Sequence, residues 1–251
     1  MPANSQTVKY HGLRQSTVVG NKDQIMVKAK AWISWSSGKD SAWALHMIRQ
    51  QGQLEVMGLL TTVNTAYGRV AMHAVREALL ERQADALGLP LVKVPLPWPC
   101  SNEIYEQAML GAIHRARAEG VTHTVFGDLF LEDVRRYREE KLKGTGITPV
   151  FPLWGSDTAK LARAMVAGGV RAWVTCVNPQ KLDGGFAARA FDSEFINDLP
   201  VGVDPCGENG EFHTFVSATP GFRAPISVTP GEIVQRDGFV FADLLPTGVG
   251  G

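Results

Sequence analysis

Trp32-Ile33-Ser34-Trp35-Ser36-Ser37-Gly38-Lys39-Asp40-Ser41 is the stretch on which the fold turns. Residues 30–35 are short, mostly apolar and aromatic, which suits a buried parallel strand. Residues 36–41 are small and polar and turn the chain; residues 42–48 then read as helix, stopped at Gly52. A strand, a small-residue turn and a helix N-terminus together make an anion site, because unbonded backbone N–H groups and the positive end of the helix dipole point at one spot. Small side chains at Ser36, Ser37 and Gly38 let the backbone approach a phosphate, Lys39 adds a mobile positive charge, and Ser41 a hydroxyl. The spacing is not the G-x-x-x-x-G-K-[ST] of a Walker loop. The plainer alternative is an ordinary helix start capped by Asp40 and Ser41.

Outward from that stretch, strands and helices alternate. A second strand spans 54–63. A helix over 73–87 turns Val75, Leu79, Leu80, Ala84 and Leu87 inward and stops at Gly88. A third strand covers 89–96, a helix capped by Ser101 or Asn102 packs through Ile104, Ala108 and Ala112, and a fourth strand spans 121–126. Alternation with connections of this length predicts a parallel sheet with helices on both faces. Ligands of such sheets lie at the carboxyl ends of the strands, so the loops at 36–41, 61–64, 97–101 and Gly127-Asp128 should converge. Thr61 and Thr62 then fall beside a nucleotide, although strand-end threonines are as common with no ligand.

Charges of both signs crowd the segment after Gly127-Asp128. Glu132, Arg135, Arg136, Glu139 and Glu140 fit an ion-paired, solvated helix face, which is the default; the functional alternative presents Arg135 and Arg138 to phosphate or carboxylate. Lys143-Gly144-Thr145-Gly146 is the best linker. These features divide the chain into a loosely attached arm (1–28), a first domain carrying the anion loop (29–145), a second domain (146–225) and a tail of short strands (226–251) with a turn at Asp237-Gly238. In the second domain a helix capped by Ser156 or Asp157 runs to Gly168-Gly169, a strand spans 170–177, and a helix lies within 181–199. The stretch Gly207-Glu208-Asn209-Gly210-Glu211-Phe212-His213-Thr214 follows. It reads either as a tight Asn-Gly turn with exposed acids or, given two acids, a histidine and a threonine around that turn, as a site.

The 45% hydrophobic and 20% charged residues are those of an ordinary globule, and 25 basic against 25 acidic residues give no global electrostatic case for nucleic acid or membrane surfaces. No apolar run reaches the ~18 residues of a membrane span, and the N-terminal residues lack a signal peptide's apolar core, so a cytoplasmic enzyme is expected. Cys100, Cys176 and Cys206 are scattered and odd in number, which argues against a disulfide framework or a paired-cysteine site.

The loop at 36–41 resembles the S-G-G-x-D-S pyrophosphate-binding loop of the PP-loop ATP pyrophosphatases, with Ser37 where the commonest form has glycine. Residues 207–214, Phe126-Gly127-Asp128 with Arg135, Tyr137, Arg138 and Glu139, Pro152-Leu153-Trp154 and Met72-His73 together resemble the diphthine–ammonia ligase family, in order, over residues 30–222. The resemblance implies an α/β fold: a Rossmann-like parallel sheet with helices on both faces, plus a smaller C-terminal α/β domain. It also implies ATP with Mg²⁺ as cofactors, cleavage to AMP and pyrophosphate, adenylation of a carboxylate, and its amidation by ammonium. Ser36, Ser37, Gly38, Lys39, Asp40, Ser41, Thr61, Thr62, Gly127 and Asp128 would bind ATP. Lys39, Asp40, Glu208 and Glu211 would be catalytic, with Asp40 also the metal ligand. Arg135, Arg138, Glu139, Asn209, His213 and Thr214 would bind the acceptor.

The family stretch reads G-E-G-G-E-[FY]-E-[TS]; here Asn209 replaces a glycine and His213 an acid. This form resembles a bacterial branch associated with cobalamin salvage, which sets a corrinoid carboxylate beside diphthine as acceptor. Met1-Pro2 offers no N-terminal nucleophile of the glutaminase kind, so free ammonium or a separate partner is the expected donor. Two rivals remain: a nucleotide sensor of the same fold without turnover, and a PP-loop tRNA thiolase, which would want paired cysteines and a basic surface.

Overall fold

The computed structural model describes residues 27–66, 68–70 and 75–247. The expected arm, but for its last two residues, lies outside them, as do Met72 and His73. Strand β1 (Ala29–Ser34) is the covered strand its composition predicts, with Ala31, Trp32 and Ile33 buried. Helix α1 (Lys39–Gln51) follows directly and ends where Gly52 turns left-handed (φ 66°) and its N–H returns to the Ile48 carbonyl. Then come β2 (Leu54–Asn64), β3 (Arg69–Val70), α2 (Glu77–Leu87), β4 (Leu91–Leu96), α3 (Asn102–Ala118), β5 (His123–Val125), α4 (Glu132–Leu142) and β6 (Thr148–Val150).

The parallel strands lie in the order β4-β2-β1-β5-β6. The chain winds outward from β1 through β2 to β4, then crosses back to place β5 on the other side of β1. The loops after β1 and β5 lead to opposite sides at that reversal, the place where ligands of such sheets bind. This is the Rossmann-like sheet expected.

Several details differ from the expectation. The loop after β2 contains the short strand β3, antiparallel to the last two residues of β2. Helix α2 starts at Glu77 rather than 73. Ile104 is exposed; α3 buries Ala112, as expected, together with Ala116, small residues that bring the helix close to the sheet.

Helix α5 (Thr158–Ala167), capped by Asp157, leads into a second, antiparallel sheet of β7 (Arg171–Val177), β8 (Ala190–Phe191), β9 (Phe212–Ala218), β10 (Val228–Arg236) and β11 (Phe239–Pro246). The helix expected within 181–199 is a 3₁₀ turn (Gly184–Phe186), then β8, then α6 (Ser193–Asp198). The strands near the C-terminus form a hairpin whose Asp237 and Gly238 both have positive φ, and β11 pairs with β7, so this segment is part of the second sheet. Phe191, Phe195 and Phe212 pack ring against ring there. The buried core is continuous across the two sheets: Ile33, Leu45 and Leu79 belong to one cluster with Leu161, Val174 and Phe215. Burial of that shared apolar surface is what keeps the sheets in a fixed relation.

Candidate active site

The loop between β1 and α1 is strained and tightly held. Ser37 sits at φ 69°, the left-handed region that glycine adopts without cost, and it is fully buried. Its carbonyl accepts bonds from Val216 N–H at 2.9 Å and from Gln83 Nε2 at 3.0 Å. Gly38 is the N-cap of α1 and, lacking a side chain, supplies no cap bond of its own. The Ser41 hydroxyl donates to the Gly38 carbonyl at 2.9 Å and lies 3.3 Å from Ser36 Oγ. The capping alternative for Asp40 and Ser41 therefore does not describe this helix start. From the second sheet, Thr214 Oγ1 accepts from Lys39 N–H at 3.2 Å. Gly127, after β5, lies so near that a β-carbon on it would stand 2.9 Å from the Asp40 carbonyl carbon and 3.0 Å from Ser41 N.

Lys39 is not the mobile charge the sequence suggested. It is 2% exposed, and its ammonium donates to Asp40 Oδ2 at 2.8 Å and Oδ1 at 3.0 Å and to the Cys206 carbonyl, above the faces of Phe191 and Phe212. Burial works against its charge; Asp40 and the neighbouring Cys206 and Glu208 outweigh it and hold the ammonium above its usual pKa.

Acids from both halves meet around this pair. Glu208 Oε1 accepts from Leu129 N–H at 2.7 Å, and Asp204 Oδ2 accepts from Glu208 N–H at 2.8 Å. Burial, with Asp40 and Asp128 nearby, pushes the Glu208 carboxyl up to about 7. His213 is pushed the other way, to about 4, by desolvation and by the Lys39 charge, so its imidazole is neutral at pH 7. Glu211 faces its own loop: it is buried, and its Oε1 accepts from Asp204 N–H at 3.1 Å and Asn209 Nδ2 at 3.2 Å.

Of the remaining expected residues, Thr61, Arg135 and Arg138 have local partners. Thr61 is buried and its hydroxyl donates to the Trp35 carbonyl at 2.7 Å; Thr62 is half-buried. Arg138 makes a two-pronged bond to Asp128, at 2.7 and 3.0 Å, over the Phe126 ring. Arg135 pairs with Glu139 at 2.8 Å and lies on Phe151 and Trp154. That pair is the ion-paired helix face read by default, whereas Arg138 turns into the strand-end loop.

The sequence matches the diphthamide synthase N-terminal domain over residues 29–149 and the diphthamide synthase C-terminal domain over residues 157–242. The chain belongs to the diphthine–ammonia ligase family. It is 30% identical over 118 residues to diphthine–ammonia ligase of Homo sapiens, covering 45% of this chain and 44% of that protein. It is 26% identical over 196 residues to the Bos taurus protein of the same name, covering 70% of each, and 30% identical over 118 residues to that of Mus musculus. The chain thus spans less than half the length of the human and mouse relatives it matches.

Within this cluster, two residues carry no obvious sequence motif. Asp204 is buried and receives the Glu208 N–H. Gln83 is fully buried against Ser37, and its trace in the sequence is a polar residue on the apolar stripe of Leu79, Leu80, Ala84 and Leu87. The Cys206 carbonyl that receives Lys39 is backbone and leaves no side-chain signal. Cys100, Cys176 and Cys206 are free thiols, and burial pushes those of Cys176 and Cys206 up to about 12, far from a reactive thiolate.

Proposed function

We propose that the chain is an ATP-dependent carboxylate–ammonia ligase, forming AMP and pyrophosphate, with residues 29–145 as the nucleotide half and residues 146–225 as the acceptor half. The observation that carries this is an α1 N-terminus whose N-cap, Gly38, supplies no side-chain cap and whose Lys39 N–H meets Thr214 Oγ1 from the second sheet, at the strand-order reversal and beside a left-handed turn at Ser37. Relatives named diphthine–ammonia ligase support amide formation as the chemistry.

In this reading residues 36–41 with Gly127 and Asp128 hold the β- and γ-phosphates, and Thr61 and Thr62 edge the nucleoside. The acceptor carboxylate attacks the α-phosphorus and pyrophosphate leaves; ammonia then attacks the acyl carbon and AMP leaves. Lys39 and the helix dipole stabilise charge on the phosphates. Ammonium must lose a proton before it attacks. Glu208, titrating at about 7 between Asp40 and Asp128, is the group suited to take it. Glu211 and Asn209 shape the loop that presents Glu208 and His213 to the acceptor, with Arg135, Arg138, Glu139 and Thr214 around it.

Mg²⁺ bound with a nucleotide asks for one or two carboxylates beside the phosphates. Among the described residues no three His, Cys, Asp or Glu side chains gather into a cage of their own. Asp40, the partly exposed carboxylate of the loop, fits that limited role and would hold the ion, which when bound offsets phosphate charge.

The test is product analysis with labelled ATP and ammonium across carboxylic acids, diphthine-bearing protein and corrinoids included. AMP and pyrophosphate formed only with acceptor and ammonium support the ligase. ADP and orthophosphate as primary products overturn it, and ATP bound but unspent with every acceptor favours a sensor.

A further inference from the structure

Gln83 is fully buried on the inner stripe of α2, and both ends of its amide are matched. Its Oε1 accepts from Trp35 Nε1 at 2.8 Å, at the end of β1. Its Nε2 donates to the Ser37 carbonyl at 3.0 Å and to the Val216 carbonyl of β9 at 2.7 Å. Val216 N–H donates to that same Ser37 carbonyl at 2.9 Å. One peptide group of the loop is thus gripped by two donors from elements remote in sequence. The Ser37 hydroxyl does not share this work, since it is buried without a hydrogen-bond partner. A serine persists at φ 69° only where its surroundings over-determine the conformation.

We infer that Gln83 is a positioning residue for the phosphate loop, holding Ser37 in the left-handed turn that opens α1 and tying that turn to β9. The inference rests on the reading of residues 36–41 as the phosphate loop. Gln83 touches no substrate; it acts through the Ser37 carbonyl, and Trp35 orients its amide.

The experiment compares wild type, Gln83→Met and the double variant Ser37→Gly/Gln83→Met. ATP affinity is measured by calorimetry and amide hydrogen exchange is followed across residues 36–41. Gln83→Met is expected to weaken ATP binding about tenfold, the scale of one lost buried hydrogen bond. It is also expected to speed exchange at residues 36–41 while leaving β4 unchanged. Glycine takes positive φ freely, so the double variant should recover most of the lost affinity. A core-packing role for Gln83 would show no such rescue. Should Gln83→Met not fold, Gln83→Glu serves: it keeps the Trp35 bond, sets an acceptor against two carbonyl oxygens, and is expected to show the same defect and rescue. Wild-type binding with unchanged binding in both Gln83 variants overturns the role of Gln83 alone, as does a double variant no better than the single. Wild-type protein without affinity for ATP overturns the phosphate reading and this role with it.

Discussion

Leu129 N–H donates to Glu208 Oε1 at 2.7 Å, so the loop after β5 in the first sheet is joined directly to the turn before β9 in the second. The bond favours the Glu208 carboxylate, yet burial and the charges of Asp40 and Asp128 win and set its pKa at about 7. Between its ordinary value of 4.5 and about 7 the folded protein holds a proton there that the unfolded chain has lost. Stability therefore falls as pH rises through that window. His213 has the opposite slope: its pKa of about 4 lies below the ordinary 6.5, and stability falls as pH drops from 6.5 towards 4.

The two slopes offset each other in the wild type and are separated by substitution. Glu208→Gln should leave a protein whose urea midpoint rises with pH between about 4.5 and 6.5, and His213→Gln one whose midpoint falls. Above pH 7 Glu208→Gln should be stabilised by about 1–2 kcal/mol, after allowance for partial solvent screening of a half-buried group. Parallel pH profiles in the two variants would show that neither group titrates as described.

Ser37→Gly should raise stability by about 1 kcal/mol. It removes the left-handed strain of a residue with a β-carbon and a buried hydroxyl without a partner; the greater freedom of glycine in the unfolded chain offsets part of this. Thermal and urea unfolding check it, and a lower midpoint would mean that the serine side chain contributes something its contacts do not show.

Gly127→Ala should be costly although it adds one carbon. The atoms that carbon would meet are backbone, at 2.9 to 3.0 Å, and cannot rotate away, so the first turn of α1 must shift. A loss of about 1–3 kcal/mol is expected, with ATP turnover falling more than tenfold. Unaltered kinetics would show that the approach of β5 to α1 is not needed for catalysis.

Asp243 of β11 bonds to Arg69 at 3.0 Å and also to Arg76, fastening the C-terminal hairpin to the loop that follows β2. Asp243→Ala should cost about 1 kcal/mol, since the arginines remain solvated. Hydrogen exchange in β10 and β11 should quicken while β4 is unaffected. Unchanged exchange there would mean that pairing with β7 alone holds the hairpin.

The parallel sheet and the loop after β1 were legible because they rest on local chemistry: apolar runs of strand length, a small-residue turn, and glycines at helix ends. The convergence of Lys39, Glu208, His213 and Thr214 was readable only through family resemblance, because nothing local relates residue 39 to residue 214. Lys39 was misread as mobile because its fate is decided by a backbone carbonyl at Cys206 and two phenylalanine faces, none of which sequence pattern records. Ile104 was placed inward on helical period alone, and the close approach allowed by Ala112 and Ala116 shifts the buried stripe. Gln83 sat in plain view as a polar residue among leucines, where a glutamine facing solvent and one filling a core socket are written with the same letter.

Because the Ser37 carbonyl accepts from the N–H of Val216, the loop at 36–41 cannot complete its bonding until residue 216 has left the ribosome. A ribosome that has released every strand of the first sheet still carries a loop between β1 and α1 with one of its two long-range bonds to Ser37 unmade. The final shape of that loop therefore arrives late in synthesis, once β9 docks.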